Sequence, residues 1–292
     1  MFPDDATART WVEGIRWPDG PVCPHCGSKR ISHPVTHKTM THRCRDCRKW
    51  FSVRTGTVMQ SSKLDLQIWV IAVYLLNTGL KGQASMKLHR DLGITQKAAW
   101  HLAHRIRECW DKKGGLFGGP AEADESYWGG KESNKHASKK LRAGRGAVGK
   151  VPVAGVRDRA TGKVAARKVE KADAFTVQNF VAEHVKIGAH LFTDESRVYS
   201  GIGAWYKHAT VKHSVGEYVR GMASTNGLES FWAAMRRGFH GTYHHFSAKH
   251  LNRYVVEFSG RHNARNLDTL DMMAESFAGM IGKRLRYADL IA

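Results

Sequence analysis

Apolar positions recur along this chain with two different periods, and the change from one to the other divides it. DATARTWVEGIRWPDG predicts a short helix opened by an Asp cap and closed near Pro18. KLDLQIWVIAVYLLNTGL predicts an amphipathic to buried helix ending at Gly79, and SMKLHRDLGITQKAAWHLAHRIREC a helix, a turn at Gly93 and a longer helix with apolar spacing at Ala98, Leu102 and Ile106. Helix, Gly turn and helix with basic residues on the second is a helix-turn-helix order, which also occurs as plain bundle packing. KKGGLFGGP is a linker by composition. Beyond it the alternation becomes that of strands: EADESYW, then a hairpin of VPVAGVRD and KVAARKVE around the turn RATG. A helix over DAFTVQNFVAEHVKIG, a strand HLFTDES, a short helix VYSGIGAWY, a strand KHATVKH and a helix STNGLESFWAAMRRGFHG follow.

Three strands, then helix, strand, helix, strand and helix fit an α/β domain of the RNase H-like kind, a mixed sheet with flanking helices. The expected division is 1–60, an N-terminal helix plus a cysteine-bearing ribbon; 61–112, a helical helix-turn-helix-like region; 113–120, a linker; and 121–292, the RNase H-like domain.

Charge and cysteines sharpen this picture. The 46 Lys and Arg against 26 Asp and Glu, a formal charge of +20, point to a polyanionic partner, with nucleic acid ahead of a membrane surface because no apolar run is long enough to span a bilayer. The start, MFPDDATART, is acidic and polar where an export signal would be basic and then apolar, so a cytoplasmic protein with reduced thiols is expected. Cys23-x2-Cys26 and Cys44-x2-Cys47 have the spacing of a structural zinc site, closed by four thiolates, on a zinc ribbon. His25, His33, His37 and His42 are alternative ligands that four cysteines make unnecessary, and Cys109 reads as a packed thiol.

Three acids carry the candidate chemistry. Asp124 falls on the first strand of the α/β part, Asp194 at the end of the fourth, and Glu229 on a late helix, where neighbouring strand ends can bring them together. Converging carboxylates suit two Mg²⁺ (or Mn²⁺) ions in phosphoryl transfer. Each Asp has an acidic neighbour, Glu125 or Glu195, on the opposite face of its strand. Asn226 and Arg236 share the helical face of Glu229, where Arg236 would hold a phosphate by paired donors. Backbone contacts with DNA are expected from Arg236, Arg237, Lys139 and Lys140 of the 131–150 loop, and Arg105. His244, His245 and His250 read as phosphate contacts or packing.

Together WPDGPVCPHCGS, CRDCRKWFSVRTGT, ADESYWGGK, FTDES and NGLESFWAAMRRGFHGTYHHFSAKHLNRYVVEFSGRHN resemble a DDE-type insertion-sequence transposase of the zinc-ribbon, ISXO-like branch. The resemblance implies catalysis by Asp124, Asp194 and Glu229, with Asn226 open as an alternative third residue and Arg236 where many relatives carry Lys. It also implies cleavage of double-stranded DNA at inverted repeats, joining of the 3′-OH ends to target DNA, a homo-oligomer on the paired ends, and a place in the cytoplasm on the nucleoid. A metal-dependent RNase H-like nuclease and a non-catalytic zinc-ribbon, helix-turn-helix regulator are the competing readings.

Overall fold

The computed structural model describes residues 2–33, 37, 39–111, 114–141, 144, 146–211 and 224–292. Parts of the segment between the cysteine pairs, of the 113–120 linker and of the 131–150 loop, and the end of KHATVKH, lie outside the described residues. The chain forms two compact units, residues 1–112 with 266–292, and residues 113–265.

Helix α1 (Asp5–Arg16) begins where the Asp4 carboxylate accepts from Thr7 N–H at 2.7 Å, and it buries Ala8 and Val12, one turn apart. The ribbon strands β1 (Ile31–Ser32), β2 (His42–Cys44) and β3 (Trp50–Phe51) form an antiparallel sheet in chain order. KWFSVRTGT is extended only over its first aromatic pair and then turns. Helix α2 (Leu66–Thr78) is apolar nearly all round and largely buried, with Ile71 and Tyr74 exposed, and Gly79 follows it. Helices α3 (Ser85–Leu92) and α4 (Gln96–Arg107) are separated by Gly93 at φ +62°, with Thr95 capping α4 through Ala98 N–H.

The second unit holds β4 (Ala121–Trp128), β5 (Val151–Asp158), β6 (Val164–Lys168), α5 (Ala174–His184), β7 (His190–Asp194), β8 (Lys207–Val211), α6 (Asn226–Gly238) and α7 (Leu251–Ala264). Its sheet runs β6-β5-β4-β7-β8, antiparallel on the β6 side of β4 and parallel on the β7 side. One face carries a core of Ala121, Ala123, Val156 and Leu191 with Val177 and Phe180 of α5; the other packs Trp128, Val153 and Val164 against Leu228, Trp232 and Met235 of α6 and Val255 and Phe258 of α7. This is the expected α/β architecture, a mixed sheet between helices. The predicted helix VYSGIGAWY is a pair of 3₁₀ turns, Arg197–Tyr199 and Ile202–Ala204. On the edge strand β6, Asn263 pairs with Val164 through both N–H and C=O (2.7 and 2.8 Å), so a side chain of α7 occupies hydrogen bonds that would otherwise invite another strand.

Two expected boundaries move. Helices α8 (Thr269–Gly279) and α9 (Tyr287–Ile291) belong with the first unit, not with 121–292: Met273, Phe277 and Met280 enter its core, and Asn77 Nδ2 donates to Ser276 Oγ at 3.0 Å. The line at residue 60 also disappears, because Val53, Val58 and Met59 share that core with Leu66, Leu88 and Leu102.

Candidate active site and metal centres

Strand β4 and helix α6 meet along one stripe. Side chains alternate on a strand, so Glu122, Asp124, Ser126 and Trp128 share the face that looks at α6. Leu228 N–H donates to Glu122 Oε2 at 2.8 Å, Trp232 Nε1 to Asp124 Oδ2 at 3.0 Å, and the Arg236 guanidinium to Ser126 Oγ at 3.2 Å. Two residues of strand advance about 6.7 Å and four of helix about 6 Å, so the two periods stay in step across these contacts. The approach needs a glycine on the next strand: Gly155 is the register partner of Asp124, and a Cβ there would stand 2.7 Å from the Trp232 ring.

The second acid reaches the same place through sheet register. Parallel pairing puts Glu122 opposite Phe192, and the same register two residues on brings Asp124 level with Asp194 on the same face. Ser196 N–H donates to Asp194 Oδ1 at 3.0 Å as the chain leaves the strand. Glu229 comes from the first turn of α6, where Thr225 Oγ1 donates to its Oε1 at 3.4 Å. Burial, reinforced by the charges of Asp194 and more weakly Glu229, pushes Asp124 up to about 7, against the donors Glu125 N–H and Trp232. Glu125 stands on the opposite face beside Tyr199, and burial raises it to about 8. The carboxylate oxygens of Asp124, Asp194 and Glu229 do not all lie within 4.8 Å of one another, so the acids share one side of the sheet without closing on a single point. They are hard donors of the kind Mg²⁺ takes, and each Asp124 oxygen, accepting one hydrogen bond, keeps capacity for another partner.

The other expected residues divide. Asn226, Arg236, Arg237, Lys139 and Lys140 are exposed. Arg105 is not a surface cation: it is 8% exposed, its guanidinium donates to the carbonyls of Val58 and Gln60, and it lies 5.0 Å from the Trp69 ring centroid. Seven residues beyond Ala98 and three beyond Leu102, Arg105 falls on the same helical face as the apolar positions, under the loop folded over it. The outward side of α4 is also occupied, with Lys97 4.5 Å from the ring centroid of Tyr287 and Trp100 and His101 in edge contact with the same ring. Glu122, Ser126, Gly155 and Trp232 are absent from the sequence reading, although the alternation in AEADESYW carries the first two.

The four cysteines converge as their spacing requires. All four Sγ atoms lie within 4.8 Å of one another, with Cys23 and Cys47, and Cys26 and Cys44, at 3.6 Å. Four sulfurs about 2.3 Å from one zinc would be about 3.8 Å apart, whereas a disulfide would hold two at about 2.05 Å. Both C-x-x-C turns end in a left-handed residue, Gly27 at φ +75° and Arg48 at φ +60°. Backbone N–H groups of Cys47 and Asp46 draw Cys44 down to about 6, favouring the thiolate that binds metal. Among the described residues one further set of potential ligands, Glu13, His33 and His42, has donor atoms that close. The two rings are stacked at 4.3 Å and 17°, so their in-plane lone pairs run parallel instead of meeting at one ion.

A family model described as ISXO2-like transposase domain matches residues 116–263, and one described as transposase zinc-ribbon domain matches residues 3–50. A protein of Halobacterium salinarum, described as an uncharacterized protein in transposable element ISH50, is 26% identical over 250 residues, spanning 81% of this chain and 83% of its own. No solved structure matches the chain.

Proposed function

Because the chain belongs to the family of insertion-sequence transposases with an ISXO2-like DDE domain and a zinc ribbon, we propose that it cuts DNA at the ends of its element and joins the freed 3′-OH ends to target DNA. The observation that supports the reading is the parallel pairing of Glu122 with Phe192, a register that, continued two residues, sets Asp124 level with Asp194, while Glu229 stands in the first turn of the helix packed on that face. Asp124, Asp194 and Glu229 would hold the divalent ions; when bound, these activate the attacking oxygen and stabilise the leaving one. Trp232 Nε1–H orients the Asp124 carboxylate, and the burial that raises its pKa means that a nearby cation would favour its charged form. Arg236, one turn beyond Trp232 and exposed, is placed to take a phosphate oxygen of the DNA strand, with Arg237, Lys139 and Lys140 as further backbone contacts and Asn226 beside the acid. No covalent protein–DNA intermediate is required, so the reaction needs no Ser or Tyr nucleophile. The cysteines hold zinc and fix the ribbon, and paired element ends call for at least two copies of the chain on DNA.

The test incubates the purified protein with a labelled duplex from the ends flanking its gene and a plasmid target, with Mg²⁺ and with EDTA. Cleaved and joined product in Mg²⁺ alone is expected. Cleavage without joining would leave a nuclease, and binding without cleavage a regulator.

A further inference from the structure

Glu122 is a buried carboxylate that the proposed reaction does not use. Its side chain is 3% exposed, and it accepts from Arg157 at 3.2 Å, Arg159 Nε at 2.9 Å and Leu228 N–H at 2.8 Å. Those donors, two of them cationic, surround it with positive charge, which excludes it as another cation ligand. Its third bond comes from Leu228 N–H in the first turn of α6, a donor it shares with the Thr225 carbonyl at 3.0 Å. Helix α6 has no side-chain cap of its own: Thr225, which opens it, donates to Glu229 instead. Strand β4 therefore supplies the cap, with a negative charge where the helix dipole is positive.

The contacts of this network fall next to each of the three acids. Glu122 is two residues before Asp124 on one strand; Leu228 immediately precedes Glu229; and Arg159, bound to Glu122, lies 4.2 Å from the ring centroid of Phe192, two residues before Asp194. Arg159 also donates to the Ser224 hydroxyl at 2.7 Å, holding the approach to the helix. Gly227 leaves the space for Arg157, since a Cβ there would overlap its guanidinium. We propose that Glu122 is a positioning residue, which with Arg157 and Arg159 fixes the first turn of α6 against β4 and so sets the spacing of Asp124, Asp194 and Glu229. This rests on the reading of those acids as the cation-holding set.

The test uses the full zinc-loaded chain and compares wild type, Glu122→Gln, Arg159→Lys and, as control, Asp124→Asn. Three quantities are read: hydrogen exchange of the amides from 226 to 232, Mn²⁺ affinity by titration without DNA, and the Mg²⁺ concentration giving half-maximal end cleavage. Glu122→Gln should speed exchange in that turn alone, weaken Mn²⁺ binding about 10-fold, the scale at which groups behind a ligand act, and raise the Mg²⁺ requirement, with cleavage largely restored at high Mg²⁺. Arg159→Lys, which keeps the charge and loses the fork, should shift all three in the same direction and serves if Glu122→Gln does not fold. Unchanged Mn²⁺ affinity and Mg²⁺ requirement in a folded variant would overturn the positioning role, even with faster exchange, because the network would then be a helix clamp only. If Asp124→Asn also leaves Mn²⁺ binding unchanged, the acids are not the cation site and the proposal falls with its premise; if that control weakens binding while Glu122→Gln does not, only the positioning role fails.

Discussion

A carboxylate facing other carboxylates in a buried place is costly to ionise, and Asp124 shows the consequence. Its pKa rises from 3.8 to about 7, so folding favours its protonated form. That contribution is fully present below the unfolded pKa and is lost as pH rises through the folded one. In Mg²⁺-free buffer the stability of Asp124→Asn relative to wild type should therefore grow between about pH 4 and pH 8, by at most about 4 kcal/mol; denaturant unfolding at several pH values measures it, and a constant difference would contradict the environment described. Arg105 is the opposite case, a cation whose burial pulls it down to about 10 and whose donors serve two loop carbonyls. Arg105→Ala should cost about 1–3 kcal/mol in unfolding free energy through those unsatisfied groups, and lower DNA affinity only as far as unfolding does. An affinity loss in a fully folded variant would restore it to the DNA-facing set.

Between elements, the decisive contact is strand against helix. Gly155→Ala places a methyl group 2.7 Å from the edge of the Trp232 ring, so the indole must leave Asp124 or the sheet must give, at about 1–3 kcal/mol. A lower melting temperature together with a shifted tryptophan emission is expected; an unaltered melt would mean that the indole is not held where Asp124 needs it. Much of this was legible in sequence. The hairpin around RATG, the Asp caps at Asp4 and Asp173, the turn at Gly93 and the alternation that separates Asp124 from Glu125 are local signals, fixed by turn chemistry and period. What was not legible depends on partners distant in the chain. The sequence around Arg105 does not announce the loop at 58–60 that buries it, and the apolar residues of α8 do not say which core they join. Glu122 looks like one more surface acid until Arg157, Arg159 and Leu228 are folded around it.

At the scale of the whole chain, charge and metal act separately. The excess of +20 is an attraction for polyanions that salt should weaken steeply, while none of the described helices is long and apolar enough to cross a membrane. The four thiolates give zinc a place in the ribbon, whose small core of Cys23, Cys44 and Phe51 is covered mainly by Trp17 and Ile31 and gains its closure from the metal. Stripping the metal, or Cys23→Ser, should abolish one bound zinc per chain and unfold the ribbon first, visible as a separate early transition in calorimetry; a single unchanged transition would mean the cysteines are dispensable to the fold. The central claim is that Asp124, Asp194 and Glu229 form one cation-dependent site for cutting and joining DNA. The most direct measurement is strand transfer by Asp194→Asn, with zinc content and melting matched to wild type, on an end duplex and plasmid target in Mg²⁺. Loss of both cleavage and joined product with end binding retained is the predicted result; joined product at the wild-type level would contradict the account.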